Sequence, residues 1–126
     1  AAARLGIQIR SLGVAPDLIL SSDAVRAHAT AELLGLGPVS SMSGLYLASS
    51  EQLHRVTQTL PRVKHVLMVA HNPGLSELLW KHAPQSGPLS PASGFQLIWA
   101  VEDWLLAGVE APCAVHQFSD SGGSTF

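Results

Sequence analysis

A histidine immediately follows residues 65–70, His-Val-Leu-Met-Val-Ala, a mainly apolar run that we predict to be a buried strand. This residue, His71, comes immediately before Asn72 and Pro73, which are typical of a helix cap and a first helical position. A histidine there can donate a hydrogen bond to a phosphoryl oxygen, or act as an acid or base near neutral pH. The alternative is a histidine that merely ends a strand. We favour a functional role because the strand end is sharply defined.

Arg26 occupies a comparable place behind the shorter apolar run 17–20, Asp-Leu-Ile-Leu. Ser22 or Asp23 can cap a helix that starts there, which puts Arg26 in the first helical turn. A helix N-terminus carries free N–H groups and partial positive charge, so a cation is unfavourable there unless an anion compensates it. The planar guanidinium matches the oxygens of a phosphate. Arg26 therefore either binds an anion or lies on the surface, and its position alone does not decide between the two.

Other kinds of site lack their signatures. The histidines show neither His-x-x-x-His spacing nor accompanying carboxylates, so we predict no metal and no cofactor. Ser21 and Ser22 are not part of a Gly-x-Ser-x-Gly turn, which argues against a serine nucleophile. Neither Gly-x-Gly-x-x-Gly nor a Walker loop occurs, so the sequence gives no support to nucleotide binding.

The composition is that of one domain: 126 residues, of which 47% are hydrophobic and 13% charged. The net charge is -2 and the basic residues are scattered, which argues against nucleic acid or an anionic membrane as partner. No apolar stretch could span a bilayer and no signal peptide is evident, so we expect a cytoplasmic protein. Cys113 is the single cysteine, which rules out an intrachain disulfide within these residues, and we predict that it is a small core residue.

Helix and strand alternate along most of the chain. The predicted elements are a helix over 2–12 ended by Gly13, a strand over 17–20, a helix through Leu34 ended by Gly35, a polar connection over 38–44, a short strand or extended loop over 45–47, a helix behind a Ser49–Gln52 capping box, a strand over 65–70, a helix over 73–82, a loop over 85–94, strands over 95–101 and 113–118, and a polar tail over 120–125. This order predicts an α/β fold, a three-layer α/β/α sandwich with a mostly parallel sheet and one antiparallel strand. Ligands bind such sheets beyond the carboxyl ends of the strands, where Arg26 and His71 are expected to converge.

Two motifs, in their order and spacing, resemble those of the histidine phosphatase, or phosphoglycerate-mutase-like, superfamily. Residues 22–31 contain Ser-x-x-x-Arg-Ala-x-x-Thr-Ala, which resembles the second arginine motif of that superfamily. Residues 69–75, Val-Ala-His-Asn-Pro-Gly-Leu, resemble its second histidine motif. The segments 45–48 and 92–97, with Trp104 downstream, are most similar to the SixA-type phosphohistidine phosphatase branch. The resemblance extends from about residue 5 to residue 118.

The resemblance implies a phosphatase that forms a phosphohistidine intermediate on a first-strand Arg-His-Gly motif. No Arg-His-Gly occurs in the chain, which begins within what resembles the superfamily's first helix. We therefore expect a single domain that is incomplete at its N-terminus, with the nucleophile upstream of residue 1. By the same resemblance Arg26 and His71 are catalytic. The implied phosphate-binding residues are Arg26, Ser22, His71 and Asn72. The general acid is left open, with Glu51 the nearest carboxylate to Tyr46 in the sequence.

Three functions remain at this point. The first is a phosphatase acting on phosphohistidine, with a phosphorylated protein such as a histidine-containing phosphotransfer domain as its partner. The second is a phosphomonoesterase of the same superfamily that acts on a small phosphorylated metabolite. The short connection between Gly35 and Ser49 leaves an open site, which favours a protein substrate. The third is a phosphate-binding domain without catalytic activity.

Overall fold

The computed structural model describes residues 2–13, 15–86, 89, 93–119 and 122–125. Helices and strands alternate in it, as the sequence predicts. In chain order they are α1 (Ala2–Ser11), β1 (Leu18–Ser21), α2 (Val25–Leu33), β2 (Ser40–Ser41), a 3-10 turn (Ser43–Leu45), α3 (Ser50–Gln58), β3 (Val66–Val69), α4 (Gly74–His82), β4 (Ser93–Ile98), a second 3-10 turn (Trp104–Gly108), β5 (Ala114–Ser119) and β6 (Gly122–Thr125).

The first three strands form a parallel sheet in the order β2-β1-β3. Every residue of β1 is paired with one of β3, from Leu18 opposite Val66 to Ser21 opposite Val69. Asp17 fixes this register at the amino ends, because its carboxylate accepts from the backbone N–H groups of Lys64 (3.1 Å) and His65 (2.9 Å). The two strands therefore also end side by side.

Side chains of β3 alternate between two layers of helices. Val66 and Met68 pack in the cluster that contains Leu53 of α3 and Leu78 of α4. Leu67 and Val69 pack instead in the cluster built around α1, α2 and the end of β5. The parallel sheet thus lies between two helical layers, which is the predicted α/β/α arrangement.

The last three strands form a second, antiparallel sheet in the order β4-β5-β6. The sequence led us to expect one antiparallel strand and a polar tail over 120–125, whereas Gly122–Thr125 is a strand paired with β5. The predicted 85–94 loop is also shortened, because Ser93 and Gly94 already pair with β5. Residues 87, 88 and 90–92 of that loop, and residues 120 and 121, lie outside the described part of the chain.

A cavity of about 960 Å³ lies between the two sheets. Its walls include all of β3 and all of β4, together with Leu5 and Ile9 of α1 and Phe118 of β5. In the described residues β3 pairs only with β1, and β4 only with β5, so each has one edge without a neighbouring strand. This explains why β3 is half-buried, although its apolar sequence predicts a strand buried on both sides.

The strands on the two sides of this cavity run in opposite directions. Just beyond the end of β3, the Asn72 carboxamide N–H donates to the carbonyl of Leu89, which precedes β4 (3.3 Å). At the other end, the indole N–H of Trp104, which follows β4, donates to the carbonyl of Val63 ahead of β3 (2.8 Å). A single strand inserted between them would be parallel to one edge and antiparallel to the other.

Several local predictions can be compared with the structure. The capping box of α3 is confirmed, since the Ser49 hydroxyl accepts from the Gln52 N–H and the Gln52 carboxamide accepts from the Ser49 N–H. The strand or extended loop predicted over 45–47 is wrong, because a 3-10 turn occupies 43–45 and the third strand of the sheet is Ser40–Ser41. The prediction for Cys113 is also wrong, because this residue precedes β5 and its side chain is exposed.

Helices α1 and α2 approach one another too closely for any side chain at Gly6. A Cβ atom there would lie 2.1 Å from the carbonyl oxygen of Leu34. We therefore expect Gly6→Ala to lower the free energy of unfolding by about 1–3 kcal/mol through overpacking, despite the better helix propensity of alanine. Urea titration measures this change. Gly44→Ala is the matched control, because nothing lies within 4 Å of a Cβ at that position. A Gly6→Ala variant as stable as the original chain would contradict the packing described.

Candidate active site

Two loops leave the parallel sheet side by side at its carboxyl end. Ser21 is the last residue of β1 and is paired with Val69, the last residue of β3. The backbone N–H of Ser22 donates to the carbonyl of Val69 (2.9 Å), which holds the first residue after β1 against the end of β3. His71 follows two residues later in the second loop. The topology therefore brings Ser22 and His71 together, as parallel strands with a shared edge require.

The side chains of these two residues are hydrogen-bonded. The Ser22 hydroxyl lies 2.7 Å from Nε2 of His71, and Ser22 is fully buried. The same hydroxyl oxygen accepts from the Ala24 N–H (3.2 Å), so it ties the loop before α2 to the imidazole. The hydroxyl can either donate to Nε2 or accept from it, according to the tautomer of His71.

An aromatic ring forms another wall of this site. The ring centroids of Tyr46 and His71 are 5.4 Å apart, with an interplanar angle of 75°, which is an edge-to-face contact. The sequence indicated Tyr46 only as a member of the 45–48 segment and gave it no role. Tyr46 follows β2, the third strand of the parallel sheet, and a position after a strand could have indicated a site residue. β2 has only two residues and no apolar pattern, so the sequence does not reveal it as a strand.

Arg26 lies in the first turn of α2, as predicted, and its side chain is exposed. The predicted cap is wrong, because the N-cap residue is Ala24 and no side chain caps the helix. Ser22 instead bonds the Ala24 N–H ahead of the helix. In the described part of the chain the Arg26 guanidinium has neither an ion pair nor a hydrogen-bond partner. A cation and free N–H groups thus stand together, and the convergence of Arg26 with His71 on one anion stays a prediction.

The Asn72 side chain is directed toward α4 and the segment before β4. Its carboxamide oxygen accepts from the N–H (3.1 Å) and hydroxyl (2.7 Å) of Ser76, and its N–H bonds Leu89. Helix α4 begins at Gly74 with Pro73 as N-cap, so the helix start predicted at Pro73 is one residue early. The Asn72 carboxamide still accepts from the N–H of Ser76, the third helical residue. Because the side chain is occupied by these bonds, the predicted phosphate-binding role of Asn72 would fall to its backbone N–H.

Three other histidines, and the carboxylate of Glu51, have their described contacts away from this pair. His28 bonds Glu32 on the same face of α2 (2.7 Å), and His65 is 3.8 Å from Asp17 at the opposite end of β3. Burial lowers the pKa of His82, which ends α4. Glu51, the carboxylate nearest to Tyr46 in the sequence, is exposed and lies 3.9 Å from Arg55.

The described residues hold no group of three or more His, Cys, Asp or Glu side chains arranged to bind a metal ion. None of the described helices combines the length and apolar character needed to cross a bilayer.

Comparison with solved structures identifies the fold. The chain aligns over its whole length with a protein assigned as the phosphohistidine phosphatase SixA from Nakamurella multipartitia, at 19% identity and a TM-score of 0.62, covering 77% of that chain. A protein with the same assignment from Agrobacterium tumefaciens matches over 99% of this chain and 74% of its own, at 20% identity and a TM-score of 0.59. Phosphoglycerate mutase from Plasmodium falciparum matches over 99% of this chain and 78% of its own, at 13% identity and a TM-score of 0.52.

No family model and no curated protein sequence matches the chain significantly. The structural similarities show that the chain has the phosphoglycerate-mutase-like fold, as expected from the sequence.

Proposed function

We propose that this protein is a phosphatase of the histidine phosphatase superfamily, which hydrolyses phosphohistidine through a phosphohistidine intermediate of its own. The hydrogen-bonded pair Ser22 and His71, beside the free N-terminus of α2, is the observation that carries the proposal. The similarity in fold to proteins assigned as SixA supports it.

The site offers the contacts that a phosphoryl group in transfer requires. Catalysis of phosphoryl transfer depends mainly on positioning and on stabilising charge at the equatorial oxygens. His71, held by Ser22, can donate a hydrogen bond to one of these oxygens. Arg26 can supply a charged fork, and the first N–H groups of α2 can supply a partial positive charge. These groups hold and stabilise a phosphoryl group, and we assign them that role.

The nucleophile is proposed to enter on a further strand, which fills the cavity between β3 and β4. That cavity extends to Ala70 and Asn72, the residues on either side of His71, so we expect a residue at the end of such a strand to lie near His71. Helix α1 covers the cavity through Leu5 and Ile9. A strand that precedes α1 in the chain would be joined to β1 through a strand-helix-strand unit, which makes it parallel to β1 and β3. We therefore place an Arg-His-Gly strand upstream of residue 1 in this position, where it completes the domain.

The proposed reaction has two steps. A ring nitrogen of the nucleophilic histidine attacks phosphorus and forms an N–P bond, while the bond from phosphorus to the substrate imidazole breaks. The departing imidazole nitrogen takes a proton from solvent. The oxygen of a water molecule then attacks phosphorus, the N–P bond breaks, and inorganic phosphate leaves while a proton of the water returns to the histidine nitrogen.

A protein substrate is favoured over a small metabolite. The rim of the site carries exposed apolar side chains: Val25 next to Arg26 is 87% exposed, and Tyr46 and Leu47 are 55% and 61% exposed. Such side chains contact a second protein surface more readily than a compact polar metabolite. We therefore propose a phosphorylated protein, such as a histidine-containing phosphotransfer domain, and keep metabolite phosphomonoester hydrolysis as the alternative.

The test compares two proteins: the 126-residue chain, and the same chain extended by its natural upstream sequence, which we call the completed chain. Each is assayed for phosphate release from a phosphorylated phosphotransfer domain and from a small phosphomonoester. We expect turnover only by the completed chain, and faster on the phosphorylated domain. Full activity of the 126-residue chain would contradict the proposed nucleophile. A completed chain that binds phosphate but hydrolyses neither substrate would indicate a non-catalytic domain.

A further inference from the structure

We infer that Tyr46 is a positioning residue, whose ring holds the imidazole of His71 in one orientation at the phosphoryl site. The effect of this positioning on turnover rests on the proposed function, whereas the contact between the two rings does not. The hydrogen bond to Ser22 constrains His71 only at Nε2, so it leaves the ring plane free to turn. The edge-to-face contact with Tyr46, at 5.4 Å and 75°, removes that freedom.

Tyr46 is itself held by the segment around it. Leu45 and Ala48, on either side, are buried in the core that α3 and α4 share. The N–H of Tyr46 donates to the carbonyl of Ser43 (3.1 Å), which closes the 3-10 turn. Although Tyr46 is 55% exposed, the backbone that carries its ring is thus held in place.

Two features show that the backbone here is tightly determined. Leu47 has a φ of 48°, a left-handed conformation that a leucine adopts only where the surrounding structure imposes it. The carbonyl of Ala48 is pressed against the start of α4, where a Cβ on Gly74 would lie 1.9 Å from its oxygen. Helix α4 begins three residues after His71, so one contact region fixes both Tyr46 and the loop that carries His71.

The experiment uses the completed chain with Tyr46→Leu and Tyr46→Phe. One readout is the chemical shift of the His71 ring protons, which a nearby aromatic ring displaces. The other is kcat and KM with the phosphorylated phosphotransfer domain. We expect Tyr46→Leu to abolish the ring-induced shift and to lower kcat about three- to tenfold, with little change in KM, because an edge-to-face pair is worth about that factor in population. Tyr46→Phe keeps the ring and is expected to restore both values.

Each other outcome decides against the inference in a distinct way. Unchanged His71 resonances in Tyr46→Leu would show that the rings do not meet. A lost shift with unchanged kcat would show a contact that positions nothing. Activity lost equally in Tyr46→Phe, with the shift retained, would make the hydroxyl rather than the ring responsible. If the unmutated chain shows no turnover, the proposed function fails, and the resonances still decide whether Tyr46 holds His71.

Discussion

His71→Ala in the completed chain is expected to lower kcat by about a hundredfold to a thousandfold, the usual effect of removing one preorganised donor to a developing charge. His71 contacts both Ser22, through Nε2, and Tyr46, so we expect its other ring nitrogen, the proposed donor, to be positioned before the reaction begins. Because this contact strengthens as charge builds on the phosphoryl oxygens, the loss should appear mainly in kcat.

Steady-state kinetics with the phosphorylated domain measure this effect, and His65→Ala is the matched control. His65 lies at the amino end of the same strand, with a side chain that is partly exposed and remote from the carboxyl end. We expect His65→Ala to retain activity within about twofold, since surface substitutions away from special features perturb little. A His71→Ala enzyme within threefold of the original would remove His71 from the mechanism.

Arg26→Ala is expected to cost about 2–4 kcal/mol of transition-state stabilisation, a loss of a hundredfold or more in kcat/KM. The guanidinium has no ion-pair or hydrogen-bond partner among the described residues, so its removal breaks no internal contact that could explain the loss. Arg26→Lys keeps the charge but not the planar fork, so its kcat/KM should lie between that of the unmutated chain and that of Arg26→Ala.

The same assay, together with a thermal unfolding curve, separates catalysis from stability. Arg55→Ala is the control, because Arg55 is an exposed arginine in the last turn of a different helix and pairs only weakly with Glu51. We expect Arg26→Ala and Arg55→Ala to unfold at similar temperatures and to differ only in rate. Equal rates for the two variants would show that Arg26 is a surface residue, the reading that the sequence alone left open.

The contact between Ser22 and His71 follows from strand ends, which are visible in the sequence, although the sequence led us to expect Arg26 rather than Ser22 beside His71. Two apolar runs, each followed by polar residues and a helix start, must finish at the same edge if they are parallel neighbours. The parallel pairing of β1 with β3, which end at the same edge, confirms this. The helix ends at Gly13 and Gly35 were also predicted from the sequence, because glycine favours the left-handed backbone that often ends a helix. Both glycines have this conformation, with φ of 76° and 67°.

Tyr46 could not be found in this way, because its role depends on a backbone conformation with no pattern in the sequence. Leucine rarely adopts a positive φ, so nothing in the sequence indicates that Leu47 is the turn residue. The strand before this turn has two residues and carries no hydrophobic alternation. The contact with His71 follows only once the 3-10 turn at 43–45 is in place.

The division into two sheets does not follow from the strand pattern alone, although the resemblance implied a first strand upstream of residue 1. Each apolar run indicates a strand, but a run does not indicate whether the strand has one neighbour or two. β3 was expected to be buried throughout and is half-buried, since its second edge faces the cavity. The helix caps were also predicted wrongly. The Ser22 hydroxyl accepts from the Ala24 N–H, which lies ahead of α2. The Asn72 carboxamide accepts from the N–H of Ser76, the third residue of α4.

The identity of the phosphorylated residue tests the central claim most directly. The completed chain is mixed with phosphorylated phosphotransfer domain, quenched with base during turnover, and digested to locate the phosphoryl group. We predict phosphohistidine on a residue that precedes Ala1, on the strand that fills the cavity between β3 and β4, with none on His71 or Ser22. A phosphoryl group trapped on His71 or Ser22, or rapid turnover without any phosphohistidine, would contradict the proposed mechanism.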